Sequence, residues 1–315
     1  MIHIILCTYN GANYIKRQLD SILAQRYSDW VLHVYDDGSC DGTLDIIKSY
    51  SPRLGAKMRL HKGQMMGDAK SNFIGGIMDA ARIMRQGDYM MLCDQDDVWL
   101  LDKIQVTLDG MNKLEWLAYE DGMEKETTPL LICTDSALVD ENENVICPSF
   151  MEDMGFDTSK LEFSHFLMEN KVQGSTCMFN KALADKITFI PEHMDMHDWW
   201  LALIASAMGQ VGYINQATML YRQHSDAVTS DKMGFWKDLG WKMGNLSKQK
   251  YIVYDKIPQA QELLAHYQLS DEAVRTAEAF IALSSVGWFA RRKYIMDYNL
   301  WKSGLIKNIG LLILI

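Results

Sequence analysis

The chain has no Cys-x-x-Cys pair, and its six cysteines (7, 40, 93, 133, 147 and 177) stand far apart. That scatter argues against a zinc site or a disulfide framework and suits a reducing cytoplasm. No Gly-x-x-x-x-Gly-Lys-Ser/Thr string occurs, so the phosphate loop of P-loop nucleotidases is excluded. There is no internal repeat and no low-complexity tract. The first apolar run begins at Ile2, and the reading expects no secretory leader before it. The final run, Ile309 to Ile315, is too short to span a bilayer. Positive charge is also scarce: the formal net charge is −10. From Trp236 onward there are eleven Lys and Arg against seven Asp and Glu, so the preceding residues are strongly acidic. An acidic body argues against a nucleic-acid surface.

What is present is a chain of 315 residues, 48% hydrophobic, ample for a sizeable core. Its most informative stretch is Cys93-Asp94-Gln95-Asp96-Asp97-Val98-Trp99. Three carboxylates follow a short apolar run, Tyr89 to Leu92, that reads as a buried strand. Such an Asp-x-Asp suits a hard divalent cation, Mg²⁺ or Mn²⁺, which prefers carboxylate oxygens and bridges to phosphates. Without a cation the three groups repel one another. The alternative, a solvated acidic turn capping a helix from Asp102 onward, stays open on this stretch alone.

The surrounding pattern narrows the choice. Strands are predicted at Ile2 to Leu6, Val31 to Tyr35, Met58 to Leu60 and Tyr89 to Leu92. Between them lie helical spacings at Ile15, Leu19, Ile22 and Leu23, at Leu44, Ile46 and Ile47, and at Phe73, Ile74, Ile77, Met78 and Ala81. Alternation of this kind predicts βαβ units, and so an α/β fold with a mixed, mostly parallel sheet flanked by helices. Ligands bind beyond the carboxyl ends of such strands. Thr8-Tyr9, Asp36-Asp37 and Asp94 to Asp97 all fall at strand carboxyl ends, so the pattern predicts one shared crevice. Trp116 to Thr128 reads as a loop or frayed helix end before a strand at Leu130 to Thr134, and a single helix is expected over Ala273 to Phe289.

Six strings in order carry a family resemblance: Cys7-Thr8-Tyr9-Asn10-Gly11, Tyr35-Asp36-Asp37-Gly38-Ser39 with Asp41-Gly42-Thr43, Asp94 to Trp99 with Lys103, Gly174-Ser175-Thr176-Cys177, His197-Asp198-Trp199-Trp200, and Tyr221-Arg222-Gln223-His224. Together they resemble the family 2 nucleotide-sugar glycosyltransferases of GT-A fold, and the acidic string resembles their bacterial rhamnosyltransferase branch. The resemblance covers about residues 1 to 230. It implies a catalytic domain over 1–235, followed by a helical extension over 236–315.

It also implies roles. Asp96 would ligate the metal directly, and Asp94 would meet the ribose or a metal-bound water. His224 would complete the metal shell. Asp36 would contact the base or ribose; Thr8, Tyr9 and Asn10 would line the nucleotide, Tyr9 by stacking and Thr8 by hydrogen bonding. Lys70, near a helix N-terminus, is read either as a diphosphate contact or as a surface lysine. Arg222 is a second diphosphate candidate. Asp198 would be the general base that takes the acceptor hydroxyl's proton, and its flanking tryptophans would exclude water. Gly174, Ser175 and Trp199 would line the acceptor side, and Ser225 to Gly234 would form a lid. Asp97 is given no role in the site, with capping of the Asp102 helix as its alternative.

The implied reaction is inverting, metal-dependent sugar transfer, with dTDP-rhamnose favoured as donor over a UDP-hexose and a glycan or lipid-linked glycan as acceptor. A haloacid-dehalogenase-type phosphohydrolase would need its Asp-x-Asp after the first strand, where Cys7-Thr8-Tyr9-Asn10 stands instead. A non-catalytic nucleotide-sugar binder would need no Asp198. In residues 291–315, Arg291, Arg292, Lys293, Lys302 and Lys307 interleave with aromatic and aliphatic residues. This pattern predicts either peripheral contact with the inner face of the plasma membrane or a core-packed helix with a basic face.

Overall fold

The computed structural model describes residues 1–61, 65–223 and 253–315. Strand β1 (Ile2–Thr8) is followed by helix α1 (Ile15–Leu23), β2 (Trp30–Asp36), α2 (Thr43–Ser49), the short α3 (Ser51–Leu54), β3 (Met58–His61), α4 (Ala69–Ala81) and β4 (Tyr89–Cys93). These four strands lie side by side in the order β3-β2-β1-β4, all parallel. The chain steps outward from β1 to β3, then crosses back to place β4 on the other side of β1. Strand order therefore reverses between β1 and β4, and the carboxyl ends at such a reversal form the ligand crevice of open α/β sheets.

The rest of the sheet is mixed. After β5 (Val98–Trp99) and α5 (Lys103–Glu120) come β6 (Leu130–Val139), β7 (Val145–Cys147), α6 (Phe150–Asp153), α7 (Phe163–Met168), β8 (Cys177–Asn180), α8 (Lys181–Ala184), α9 (His197–Met208) and β9 (Gln210–Arg222). β8 runs antiparallel to both β4 and β6, β9 runs parallel to β6, and β5 pairs antiparallel with β9 at the far edge. Of the loop or frayed helix end expected from Trp116, residues 116–120 are the helical end, completing α5. Among the described residues, four further helices are α10 (Ile257–His266), α11 (Asp271–Ala282), α12 (Trp288–Asp297) and α13 (Leu305–Leu314). The single helix expected over Ala273 to Phe289 is thus two, because the chain leaves the helix after Ala282 and restarts past Gly287.

Alternation along β1 sorts the core onto two faces. Ile2, Ile4 and Leu6 pack with Ile15, Leu19, Ile22, Ile104 and Met111 from α1 and α5. Ile5 and Cys7 pack with Phe73, Ile74 and Ile77 of α4 and Trp200 and Leu203 of α9. The same second core takes in Ile257, Leu263, Phe280, Ile295 and Leu311, so the C-terminal helices share it. The expected boundary at 235/236 lies outside the described residues. None of the described helices is long and apolar enough to cross a membrane.

On the α4 side of the sheet, three histidines form a ladder across β1, β2 and β3. His3 Nδ1 lies 3.1 Å from His33 Nε2, and His33 Nδ1 lies 3.1 Å from His61 Nε2. Carboxylates end it on both sides: Asp88 is 3.4 Å from His3, and Asp79 is 3.0 Å from His61 and accepts from the Tyr35 hydroxyl. Four links join five groups, yet three neutral imidazoles carry only three ring protons. One end therefore lacks a proton until the ladder takes one up. A second proton would leave one His–His link with N–H facing N–H. Burial, His3, His61 and Arg59 push the central His33 down to about 3. A base whose folded pKa lies below its unfolded 6.5 binds fewer protons when folded. Its stability contribution is complete above 6.5 and is lost as pH falls towards 3, at about 1.4 kcal/mol per pH unit crossed. Thermal midpoints measured from pH 7 to pH 4 should therefore fall, and His33→Phe should start lower but fall less steeply. An unchanged slope in that variant would remove the ladder as the cause.

Candidate active site

The carboxyl ends of β1 and β2 are laced together by acidic side chains. Asp36 accepts from the Thr8 hydroxyl (2.8 Å) and the Ser39 hydroxyl (2.6 Å), and from the amides of Gly38 and Ser39 (3.1 and 2.8 Å). The turn needs Gly38 in the left-handed region, φ +91°. Asp37 accepts from the amides of Met66 and Gly67 and so anchors the approach to α4. Asn10, itself at φ +46°, donates its amide to the Ser39 hydroxyl and accepts from the Cys40 amide. Thr8 and Asp36 are buried within this lacing, whereas Tyr9 is 58% exposed, with its ring open to a stacking partner.

Gln95 then ties β1 to β4. Its side chain accepts from the Tyr9 amide and donates to the Tyr9 carbonyl, both at 2.9 Å. The acidic motif is thereby fixed across the strand-order reversal, beside Thr8, Tyr9 and Asn10. Gly11 permits this approach: a Cβ there would stand 2.1 Å from the Gln95 amide oxygen. Within the motif, Asp94 and Asp96 are half-buried and Asp97 is 1% exposed. Burial, then the charges of Asp96 and Asp198, push Asp94 up to about 7, with the Ser175 hydroxyl opposing. Burial and its acidic neighbours hold Asp97 well above the carboxylate range. Of the alternatives left open for Asp97, capping of α5 is not the one found; it accepts from the Arg222 amide at 3.4 Å. The helix cap position is Asp102, whose carboxylate pairs with Arg26.

Asp198, in the first turn of α9, faces this cluster, and its charge acts on Asp94. N–H donors hold its carboxylate: Asn170 Nδ2 (3.1 Å) and the Trp199 amide (2.6 Å) on Oδ1, and the Gly174 amide (3.0 Å) on Oδ2. A carboxylate offers about four lone-pair positions, so one acceptor position remains on Oδ2. Gly174 is required here, since a Cβ would lie 2.7 Å from His197 Nε2. His197 stacks on Phe73 with ring centroids 4.2 Å apart, which seats the start of α9 against α4. Asn170 was not singled out in the sequence. Its contact spans 28 residues, and the only local signal is an Asn beside a buried lysine.

The cations are engaged by protein groups. Lys70 donates to the Met194 carbonyl (2.6 Å), in the segment leading to α9. Arg222 is buried and donates to the carbonyls of Asp96 (3.0 Å) and Glu141 (2.7 Å) and to the Glu143 carboxylate (3.1 Å). Lys103 is wholly buried behind the motif; it donates to Thr218, and burial lowers it to about 8. The Trp199 ring is buried in the core, with its Nε1 donating to the Phe166 carbonyl. His224 and the stretch Ser225 to Gly234 lie outside the described residues. Among the described residues, no three His, Cys, Asp or Glu side chains converge to enclose a metal ion by themselves.

Residues 3–116 match the sequence model "Glycosyl transferase family 2". The chain is 27% identical over 248 residues to a dTDP-rhamnosyl transferase, RfbG, of Shigella flexneri, covering 75% of this chain and 78% of the relative. It is 24% identical to a putative teichuronic acid biosynthesis glycosyltransferase, TuaG, of Bacillus subtilis, covering 82% of this chain and 88% of the relative. Among solved structures, the mannosyltransferase PcManGT of Pyrobaculum calidifontis, in complex with GDP-Man and Mn²⁺, superposes with a TM-score of 0.55 at 14% identity, over 99% of this chain and 78% of that one. That likeness is one of fold, and it supports the GT-A assignment.

Proposed function

We propose, for a chain that carries a family 2 glycosyltransferase domain and is a glycosyltransferase, an inverting, metal-dependent transfer of rhamnose from dTDP-rhamnose. The acceptor in this reading is a glycan or lipid-linked glycan of cell-surface polysaccharide synthesis, at the cytoplasmic face of the plasma membrane with peripheral contact through residues 291–315. One observation supports the reading: Asp94, at the strand-order reversal, lies near enough to Asp96 and Asp198 for both charges to act on it, and the Asp198 carboxylate keeps an acceptor position. The name of the Shigella relative supports rhamnose.

Asp198 takes the proton of the acceptor hydroxyl as that oxygen bonds to the anomeric carbon. The bond from that carbon to the diphosphate breaks, and its electron pair leaves with the nucleotide. A single displacement of this kind inverts the anomeric centre. Tyr9 stacks on the base, and Asp36 keeps the Thr8 and Ser39 loop in place around it.

The residues present fit a divalent cation. They are hard carboxylate oxygens, crowded enough to raise Asp94, and too few to enclose an ion unaided. That is how Mg²⁺ and Mn²⁺ are held in many phosphate sites, by one or two carboxylates plus the substrate's own oxygens. Asp96 would hold it directly and Asp94 through water or ribose, and when bound it would stabilise charge on the departing diphosphate.

Donor hydrolysis, followed across a panel of dTDP-, UDP- and GDP-sugars with and without Mn²⁺, tests the reading. dTDP-rhamnose should be cleaved fastest, and only with metal. Faster cleavage of a UDP-hexose would move the donor, and cleavage indifferent to metal would remove the cation.

A further inference from the structure

The last helix of the described chain is built inside out. Its outward stripe, Leu305, Ile306, Ile309 and Ile313, is wholly aliphatic and exposed, Leu305 by 76% and Ile313 by 67%. Its two polar side chains turn inward: Lys307 pairs with Glu169 at 2.8 Å, and Asn308 bonds the backbone of Lys302 in both directions. A helix designed only to cover a core would have the opposite arrangement.

The stripe continues onto α12. Buried Arg292 donates to the carbonyls of Leu312, Ile315 and Trp288, and its guanidinium lies 3.7 Å from the centre of the Trp288 ring. This fastens the start of α12 beside the end of α13, and there Trp288 and Phe289 stand exposed, Phe289 by 83%. Nothing among the described residues covers either group. The exposed cation Lys293 flanks the patch, with Arg291 half-buried over the Tyr254 ring; exposed Asp297 is the acid on the same helix.

We infer that the outer faces of α12 and α13 dock on an anionic lipid bilayer and set the acceptor side of the active site against the membrane. Charge favours this occupant. The chain's positive excess is confined to its C-terminal region, while the strongly acidic body would be repelled by anionic headgroups. An aliphatic stripe flanked by Trp, Phe and basic residues is the composition of an interfacial helix. A short connection reaches the chemistry. Glu169 accepts from Lys307 and from the Ser303 amide of the tail, and the next residue, Asn170, donates to Asp198. The inference deepens the acceptor reading above and rests on it for its purpose, since a lipid-linked acceptor would arrive on this side.

The test is co-sedimentation of the full chain with phosphatidylcholine vesicles, with and without 30% or so phosphatidylglycerol, beside sedimentation velocity without lipid. The wild-type chain should bind the anionic vesicles and stay monomeric. The Phe289→Ser/Ile309→Ser double variant should lose at least about tenfold in partitioning, and Lys293→Glu about fivefold on anionic vesicles only. All three proteins should hydrolyse soluble donor equally, because the changed side chains are exposed and bond to no residue of the candidate site. Equal vesicle binding by wild type and double variant would overturn the inference, as would a wild-type dimer abolished by the double variant, which would make a second copy the occupant. Vesicle binding uses neither donor nor acceptor, so it can stand even if the donor or acceptor reading fails.

Discussion

Asp198→Asn is expected to bind the nucleotide-sugar donor as tightly as wild type while losing sugar transfer by about 10²–10⁴-fold, the usual contribution of a positioned general base. The binding half follows from geometry. In the proposed reading the donor side is Thr8, Asp36, Gln95 and the acidic motif, and none of their side chains is hydrogen-bonded to Asp198. The catalytic half follows because an amide cannot accept a proton at that position. There is a structural cost as well. Both carboxylate oxygens accept from N–H donors, so the new amide nitrogen must face either the Gly174 amide or the Asn170 and Trp199 donors. A mismatch of that kind costs about 1–3 kcal/mol. The thermal midpoint should therefore drop without loss of the fold, and titration calorimetry with donor and metal distinguishes this from unfolding. Transfer within tenfold of wild type, by a variant that binds donor normally, would take the base role away from Asp198.

The first four strands were readable in the sequence for a physical reason. β1, β2 and β4 are buried on both faces, so they appear as unbroken apolar runs, and each ends in residues whose polarity has no place in a core. Parallel order then forces those ends to one edge. The later, mixed part of the sheet resists such reading. β6 buries Thr134, Asp135 and Ser136 in its middle, satisfied by partners far away in sequence: Thr134 by Thr218, Asp135 by Ser149 and Ser136 by Gln173. A run interrupted by three polar residues reads as ending at Thr134, although the strand continues to Val139. The same holds for site residues. Asp94, Asp96 and Asp198 are visible because carboxylates in order carry a chemical meaning. Whether a cation faces the crevice or the interior depends on tertiary contacts alone, so Arg222, Lys70 and Lys103 could not be placed from the sequence, nor could Asn170.

Replacing Asp96 by Asn is the second change expected to have a large effect. The variant should fold normally, because the backbone of this residue, and not only its side chain, anchors it: the Asp96 carbonyl accepts from Arg222 Nε at 3.0 Å. It should lose metal-dependent turnover by about 10²–10⁴-fold. That follows if a cation supplies several kcal/mol of charge stabilisation at the leaving diphosphate and each 1.36 kcal/mol is a factor of ten. Kinetics alone would leave open whether metal or donor had been lost, so the decisive measurement is thermal shift. Wild type should gain stability from Mn²⁺ together with a nucleoside diphosphate by more than from either alone, because each supplies oxygens or charge the other needs. Asp96→Asn should keep the response to nucleotide and lose the added response to Mn²⁺. If the variant still responded to Mn²⁺ as wild type does, the ion would not be held by Asp96. Asp94→Asn then separates the remaining possibilities: a carboxylate that works through water or ribose should weaken the joint response, whereas one that ligates directly should abolish it. Because Asp94 and Asp96 crowd each other without an ion, neutralising either one should also raise the midpoint of the metal-free protein. Removing a residue that merely braced the loop would lower it instead.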